Sequence, residues 1–347
     1  MHKFLMIALF TTLIFVHEAK ACTTFFLQKN GQMVFGKNYD WMTGTGSINT
    51  NLRGLQKSSL PLDGGNILKW TSKYGSVTFN QYGKEFPNGG MNETGLVIEL
   101  MWLNESEYPA KDNRPGLSVL QWIQYQLDNY STVDEVIATD KKVRIVSTGT
   151  PQHYLVADSK GGVATIEILD GKMVVHKGDS LPYSVLANST YDASQRAYKN
   201  KESKDNSLNR FANACTMVQQ YEKTDIKKPL VDYSFNVLDK VSQRGFTKWS
   251  IVYDISNRKV YFKTSVSPAL KNFSVASFSF ACNAQPLMFN INSEGAGDLN
   301  KRFMSFSPDN NRKILKTAFK ETGGAINISE QLQNAVADFA EVVKCAG

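Results

Sequence analysis

The stretch Cys22-Thr-Thr-Phe-Phe-Leu-Gln-Lys-Asn30-Gly31-Gln-Met-Val-Phe-Gly-Lys37-Asn-Tyr-Asp40-Trp41 holds two runs rich in β-branched and aromatic residues, Thr23 to Leu27 and Met33 to Lys37. They meet at Asn30-Gly31, and Asn-Gly is the strongest short hairpin signal because both central residues of the favoured turn need positive φ. Cys22 therefore opens a β-strand.

What precedes Cys22 gives that position chemical weight. Lys3 supplies a short positive region, Phe4 to Val16 an almost unbroken apolar run, and Ala19-Lys20-Ala21 a small-x-small cleavage pattern. Residues 1–21 read as a removable export signal, with 22–347 as one mature domain in the periplasm or secreted. The 13-residue apolar run is short of the roughly 20 needed to span a bilayer, and no other stretch competes with it. Cleavage after Ala21 would put a thiol and a free α-amine on one residue, with ordinary pKa values of about 8.5 and about 7.7 to 8.0. One residue then offers both a nucleophile and a base. A lipid-anchored cysteine is the rival, but Ala19 and Lys20 stand where a lipobox wants an aliphatic and a small residue.

The 347-residue chain carries a formal charge of +7, and its first 21 residues hold Lys3, Glu18 and Lys20, so the remainder is only mildly basic. Its Lys and Arg residues are scattered and not interleaved with aromatics, the pattern of a solvated surface and not of nucleic-acid binding. Only His153 and His176 follow residue 21, which argues against a metal site and against a Cys-His or Ser-His engine. The four cysteines, Cys22, Cys215, Cys282 and Cys345, are too few for a disulfide scaffold or a structural zinc site. With Cys22 reserved for chemistry, the other three allow one bridge at most. No cofactor is implied.

Further strands are expected at Ser76–Phe79 and Leu96–Leu103, around a turn-rich loop from Asn88 to Gly95, after a polar connection from Thr43 to Asn51. Apolar spacing predicts a helix over Ser118–Asp128, and Ser131-Thr132-Val133-Asp134 a capped second one. A meander follows at Tyr154–Asp158, Val163–Leu169, Met173–Val175 and Ser184–Ala187. Helices are expected at Leu208–Tyr221 and Val231–Val241, a hairpin at Trp249–Tyr253 and Val260–Thr264, and C-terminal helices near Ile314–Phe319 and Ile328–Val343. Strands and helices come in blocks, which favours an α+β fold with antiparallel sheets.

Gly31-Gln-Met-Val-Phe-Gly36-Lys37 has P-loop spacing, but Asn38 replaces the Mg²⁺-holding Ser or Thr and the segment is itself strand-like. Nucleotide binding is therefore not expected. A different set of segments occurs together: Cys22-Thr-Thr with Phe35-Gly-Lys-Asn-Tyr-Asp-Trp41, then Gly90-Met-Asn-Glu-Thr-Gly-Leu96, Ser184-Val-Leu-Ala-Asn-Ser189 and Asn209-Arg210-Phe211. In this order they resemble the choloylglycine hydrolase family, N-terminal-nucleophile hydrolases of linear amides that include bile salt hydrolases and penicillin V acylases.

The resemblance implies a four-layer αββα sandwich and a set of roles. Cys22 would attack the amide carbonyl, with its α-amine taking the thiol proton. Asp40 would orient that amine, although read alone it is a hairpin-end residue capping a turn. Lys37 stands where most members have Arg; it keeps the charge and loses the planar fork. Asn188, by its side chain, and Asn92, by its backbone N–H, would stabilise the oxyanion. Arg210 matches the family's active-site Arg. The connection from Asn188 to Arg210 is short where many members carry a longer excursion that builds a tetramer, so tetramer formation does not carry over, while a homo-oligomer stays compatible with the sequence.

Phe25, Met33, Trp41, Met101 and Trp102 lie near these motifs and are candidates for an apolar acyl pocket. Substrates compatible with such a pocket are bile salt conjugates, fatty N-acyl amines or amino acids, and penicillin V-like amides. The alternatives are a lipid-anchored non-catalytic binding protein of the same fold and an acid-ceramidase-like or acyltransferase relative.

Overall fold

The computed structural model describes residues 22–202, 205–326 and 328–346; the expected export signal, residues 1–21, lies outside them. The opening hairpin forms as read. Strand β1 (Thr23–Lys29) pairs antiparallel with β2 (Gln32–Asp40), and Asn30 and Gly31 take φ of 51° and 77° in the turn.

This hairpin lies inside a seven-stranded sheet. Its spatial order is Val185–Leu186, β1, β2, Thr247–Asp254, Lys259–Thr264, Lys271–Ser274 and Gly297–Asp298. A second, nine-stranded sheet runs Lys172–Lys177, Val163–Leu169, Gln152–Ala157, Val97–Trp102, Gly89–Asn92, Ser76–Asn80, Ser47–Asn51, Leu287–Asn290 and Met304–Ser305. The two sheets face each other. Phe79 of the second sheet sits edge-on to Tyr253 and Phe262 of the first, with ring centroids 6.0 and 5.9 Å apart.

Helices cover both outer faces. Helix α1 (Val119–Asn129), capped by Ser118, and α2 (Val133–Ile137), whose Thr132 and Glu135 form a capping box, lie on the second sheet. Beyond α3 (Tyr191–Lys199), α4 (Asn206–Lys223) packs on β1, and α5 (Leu230–Lys240) packs on β2. The result is the four-layer αββα sandwich. Strands covered on both faces lose the apolar-polar alternation of half-exposed strands, which is why Thr23 to Leu27 are all buried. Helices α6 (Pro308–Glu321) and α7 (Glu330–Val342) pair with each other, and Cys345 beyond α7 is bridged to Cys282. Cys215 is reduced and buried. Among the described residues no helix is long and apolar enough to cross a membrane.

Three expectations change. Val185–Leu186, read as the last strand of the meander, leaves that sheet and pairs with β1 at the edge of the seven-stranded one. Ser47–Asn51, read as part of a polar connection, is a buried strand. Its asparagines bond within the sheet: Asn49 Nδ2 donates to Ser47 Oγ, and Asn51 Nδ2 to Ser76 Oγ and Thr78 Oγ1, at 2.9 to 3.0 Å. Side-chain pairing lets a polar sequence occupy a core position. The short connection from Asn188 to Arg210 contains α3, which is capped by Thr190 and buries Tyr191, Ser194 and Ala197 at helical spacing.

Phe25 pairs with Gly36 across the hairpin, and a Cβ added at Gly36 would lie 2.3 Å from the Phe25 ring. Gly36→Ala should therefore overpack the sheet and lower stability by about 1–3 kcal/mol. An unchanged thermal melting curve would contradict this reading of the hairpin.

Candidate active site

Backbone register assembles the site. Leu186 pairs with Thr24 and Val185 with Phe25, so continuing the antiparallel ladder by two residues brings Asn188 opposite Cys22. On the other side Thr23 pairs with Asn38, which sets Tyr39 and Asp40 beside the start of β1. Cys22 is 5% exposed, and its Sγ donates to the Asp40 carbonyl at 3.8 Å.

Arg210, on α4, is the hub. Its Nη1 donates to the Cys22 carbonyl and to Thr23 Oγ1, each at 2.5 Å, its Nη2 to Asn188 Oδ1 at 3.1 Å, and its Nε to Asn206 Oδ1 at 2.9 Å. The guanidinium is buried, and burial pulls its pKa down against the pull of Asp40, Cys22 and Asp205. Asp40 Oδ1 accepts from Thr247 Oγ1 at 2.5 Å and Oδ2 from Gln243 Nε2 at 2.9 Å. Burial raises the Asp40 carboxyl above its usual range, opposed by Thr247, Arg210, Gln243 and Lys37.

Lys37 projects from β2 toward the second sheet. Its buried Nζ donates to the Leu100 carbonyl and lies 3.8 Å from Glu99. Glu99 was not singled out from the sequence, although a lone Glu inside the apolar run Leu96–Leu103 was the available signal. Burial lifts its carboxyl to about 7, while Lys37 and the Tyr253 hydroxyl, donating at 2.5 Å, hold it down. The Cys22 thiol is pushed up by burial first; Lys37 and Arg210 lower it, and the Asp40 carboxylate raises it.

Asn188 Nδ2 donates to the Trp102 carbonyl at 2.6 Å. The segment before Asn188 is propped from below, because His153 Nε2 donates to the Ala187 carbonyl at 2.7 Å while Nδ1 faces Glu167 Oε1 at 3.1 Å. His153 thus supports the site's backbone. Among the described residues no group of three or more His, Cys, Asp or Glu side chains could hold a metal ion.

Asn92 is not brought to Cys22. Its backbone N–H donates to the Leu96 carbonyl at 3.0 Å, its Nδ2 to the Leu127 and Tyr130 carbonyls, and its Oδ1 accepts from Thr94 and Leu96. All of its groups close the Asn92–Leu96 turn and tie it to α1, whereas Asn88, before the other end of the same strand, reaches the cleft. The backbone donor facing the site is at Trp102. Leu100 N–H donates to the Asn88 carbonyl and Leu103 N–H to Pro151, and N–H groups alternate sides along a strand. Trp102 N–H therefore shares the Leu100 side, where Asn188 meets the Trp102 carbonyl.

A cleft opens at Cys22, walled near the thiol by Tyr39, Asp40, Trp41, Tyr82, Asn88 and Trp102. The Trp41 and Trp102 rings lie 5.8 Å apart, and Trp41 Nε1 donates to the Tyr82 hydroxyl at 2.8 Å. Phe25, Met33 and Met101 do not line it. Phe25 is fully buried against Gly36, Met101 faces the inter-sheet core and its sulfur accepts from Thr24 Oγ1, and Met33 lies seven residues up β2 from Asp40. Strand alternation explains Met101, which points to the face opposite Leu100 and Trp102.

The family model for linear amide C–N hydrolases of the choloylglycine hydrolase family matches residues 22–209. Penicillin V acylase from Pectobacterium atrosepticum is 31% identical over 263 residues, 62% of this chain and 69% of that protein. The solved structure of penicillin V acylase from Agrobacterium tumefaciens superposes with a TM-score of 0.72 at 27% identity, covering 83% of this chain and 98% of that one. Conjugated bile acid hydrolase from Clostridium perfringens shares the fold, with a TM-score of 0.66 at 17% identity over 79% of this chain and 98% of that one.

Replacing the buried cation with an apolar isostere, Lys37→Met, should raise the Cys22 thiol pKa further. Alkylation by iodoacetamide at neutral pH should slow in the variant and recover at higher pH; identical rate-pH profiles would remove Lys37 from the site's electrostatics.

Proposed function

The chain belongs to the choloylglycine hydrolase family of linear amide C–N hydrolases, and on that premise we propose that it is an exported amidohydrolase whose nucleophile is the Cys22 thiol. Removal of residues 1–21 would free the Cys22 α-amine and leave residues 22–347 as one catalytic domain. The observation that carries the reading is the convergence of Arg210 and Asn188 on Cys22 at the end of an apolar cleft.

In the proposed cycle the α-amine accepts the thiol proton, directly or through water, as Sγ adds to the amide carbonyl. Negative charge develops on the carbonyl oxygen, where Asn188 Nδ2, with one hydrogen beyond the one it gives Trp102, and the Trp102 N–H would receive it. The C–N bond breaks, the leaving nitrogen takes the proton from the ammonium, and a thioacyl enzyme remains. Water then adds to the thioester with the amine as base, Sγ departs and regains its proton, and the acid is released. Arg210 holds the Cys22 carbonyl throughout, and the Asp40 carboxylate balances the charge passing over the amine.

The cleft walls of Trp41, Tyr82, Trp102, Leu60, Leu62 and Phe86 suit an aryl, steroid or aliphatic acyl group. The substrate is thus an N-acyl amide. Bile salt conjugates, fatty N-acyl amines or amino acids, and penicillin V-like amides form the panel that chooses among acyl groups.

The processed protein, its first residue established by intact mass, should hydrolyse members of that panel. Cys22→Ala should abolish turnover, and Asn188→Ala should cut kcat by about 10²–10³. Full activity in Cys22→Ala would exclude the proposed nucleophile.

A further inference from the structure

The cleft has a second wall. Facing the aromatic residues near Cys22 are Phe319 of α6, Ile326 and Ile328 of the α6–α7 connection, and Leu332 and Val336 of α7. All five are apolar, and all lie beyond residue 209, where the family match ends. Leu332 and Val336 stand four residues apart, on one face of α7.

This wall is continuous with the site. The Phe319 ring lies 4.8 Å from the Tyr82 ring, Tyr82 takes the Trp41 indole N–H, and Trp41 lies against Trp102. An apolar surface runs unbroken from the nucleophile's neighbours to α6.

The wall is also anchored to the segments that flank the site. Glu321, the last residue of α6, accepts from Thr43 Oγ1 and, at 2.7 Å, from Thr45 Oγ1, just after Trp41. Asn311 accepts from the Lys84 N–H at 2.9 Å and donates to the Ala337 carbonyl at 3.0 Å. Beyond α7, Lys344 and Cys345 pair with Gln56 and Leu55, and Cys345 is bridged to Cys282. Between these anchors the pair rests on a small core of Phe86, Leu315, Val336, Ala337 and Phe339.

We propose that the α6–α7 pair is the specificity wall of the cleft, with Leu332 and Val336 setting the length of aliphatic acyl chain accepted. The proposal rests on the amidase reading for its substrate and on the cleft geometry for its residues. A chain attached at the scissile carbonyl passes the aromatic residues and ends against α7, where each methylene kept from water gains about fourfold in binding. Leu332 is half-buried, so its side chain can change size without collapsing the core.

The test uses the processed full chain and N-acyl amides of one common amine, from acetyl to dodecanoyl. Leu332→Trp should lower the long-to-short ratio of kcat/KM about tenfold or more, and Leu332→Ala should shift the optimum to longer chains. Cys282→Ser, which unlatches the end of α7, should broaden the profile. A fluorescent fatty acyl probe bound to the Cys22→Ala protein supplies a readout free of turnover, and Leu332→Trp in that background should weaken its binding. Chain-length profiles and probe binding indifferent to Leu332 would overturn the wall. Leu332-dependent probe binding without turnover of any amide would uphold the wall and sink the amidase reading instead.

Discussion

The guanidinium of Arg210 is the constraint on which the site depends. A buried cation is costly unless its donors are all directed at acceptors, and this one is met by the Cys22 carbonyl, Thr23 Oγ1, Asn188 Oδ1 and Asn206 Oδ1. Those acceptors belong to the first residues of β1, to the end of the strand beside it, and to the first turn of α4. One planar group therefore fixes the relative position of three elements, and a point-like ammonium could not make the same fork. Removing it would strand several buried oxygens at once.

Around that fork the charges are sorted by face. Asp40 and Arg210 lie on the helix side of the first sheet, where Thr247 and Gln243 hold the carboxylate. Lys37 lies on the inner side, shared between the Leu100 carbonyl and Glu99. Glu99 fits there because its neighbour across the ladder is Gly89; a Cβ at Gly89 would sit 2.2 Å from the carboxyl carbon. The thiol thus feels a cation from each side, and these positive neighbours oppose, without cancelling, the burial that keeps its pKa above the usual thiol range. A free α-amine would stand within this arrangement as the nearest movable proton carrier.

The hairpin was legible because its turn demands positive φ at two residues and the sequence offers Asn-Gly there. Asn188 and Arg210 could be named only through the family resemblance, since a strand-end Asn and a helix-start Arg carry no local mark of convergence. Asn92 misled for a physical reason. A turn rich in Gly and Asn exposes N–H groups in principle, but this Asn spends its groups on closing its own turn and tying it to the end of α1, and by strand alternation the donor on the site's side is the N–H of Trp102. Side-chain identity does not encode the direction of a backbone N–H; ladder register does. The same logic separates Trp102 from Met101, neighbours in sequence that alternate faces, and shows why closeness to a motif along the chain did not bring Phe25 or Met33 to the cleft.

The two walls of the cleft differ in how they are stabilised. The thiol side is continuous with the large inter-sheet core, so Trp41 and its neighbours move only if that core yields. The α6–α7 side has a five-residue cluster and is held chiefly by polar anchors and a disulfide. Elements with few buried apolar contacts open at lower free energy than the global fold, so openings that admit a bulky acyl group belong to the second wall and not to the first. Under the proposed function, this division would keep the chemistry rigid while the acyl end of the cleft adapts.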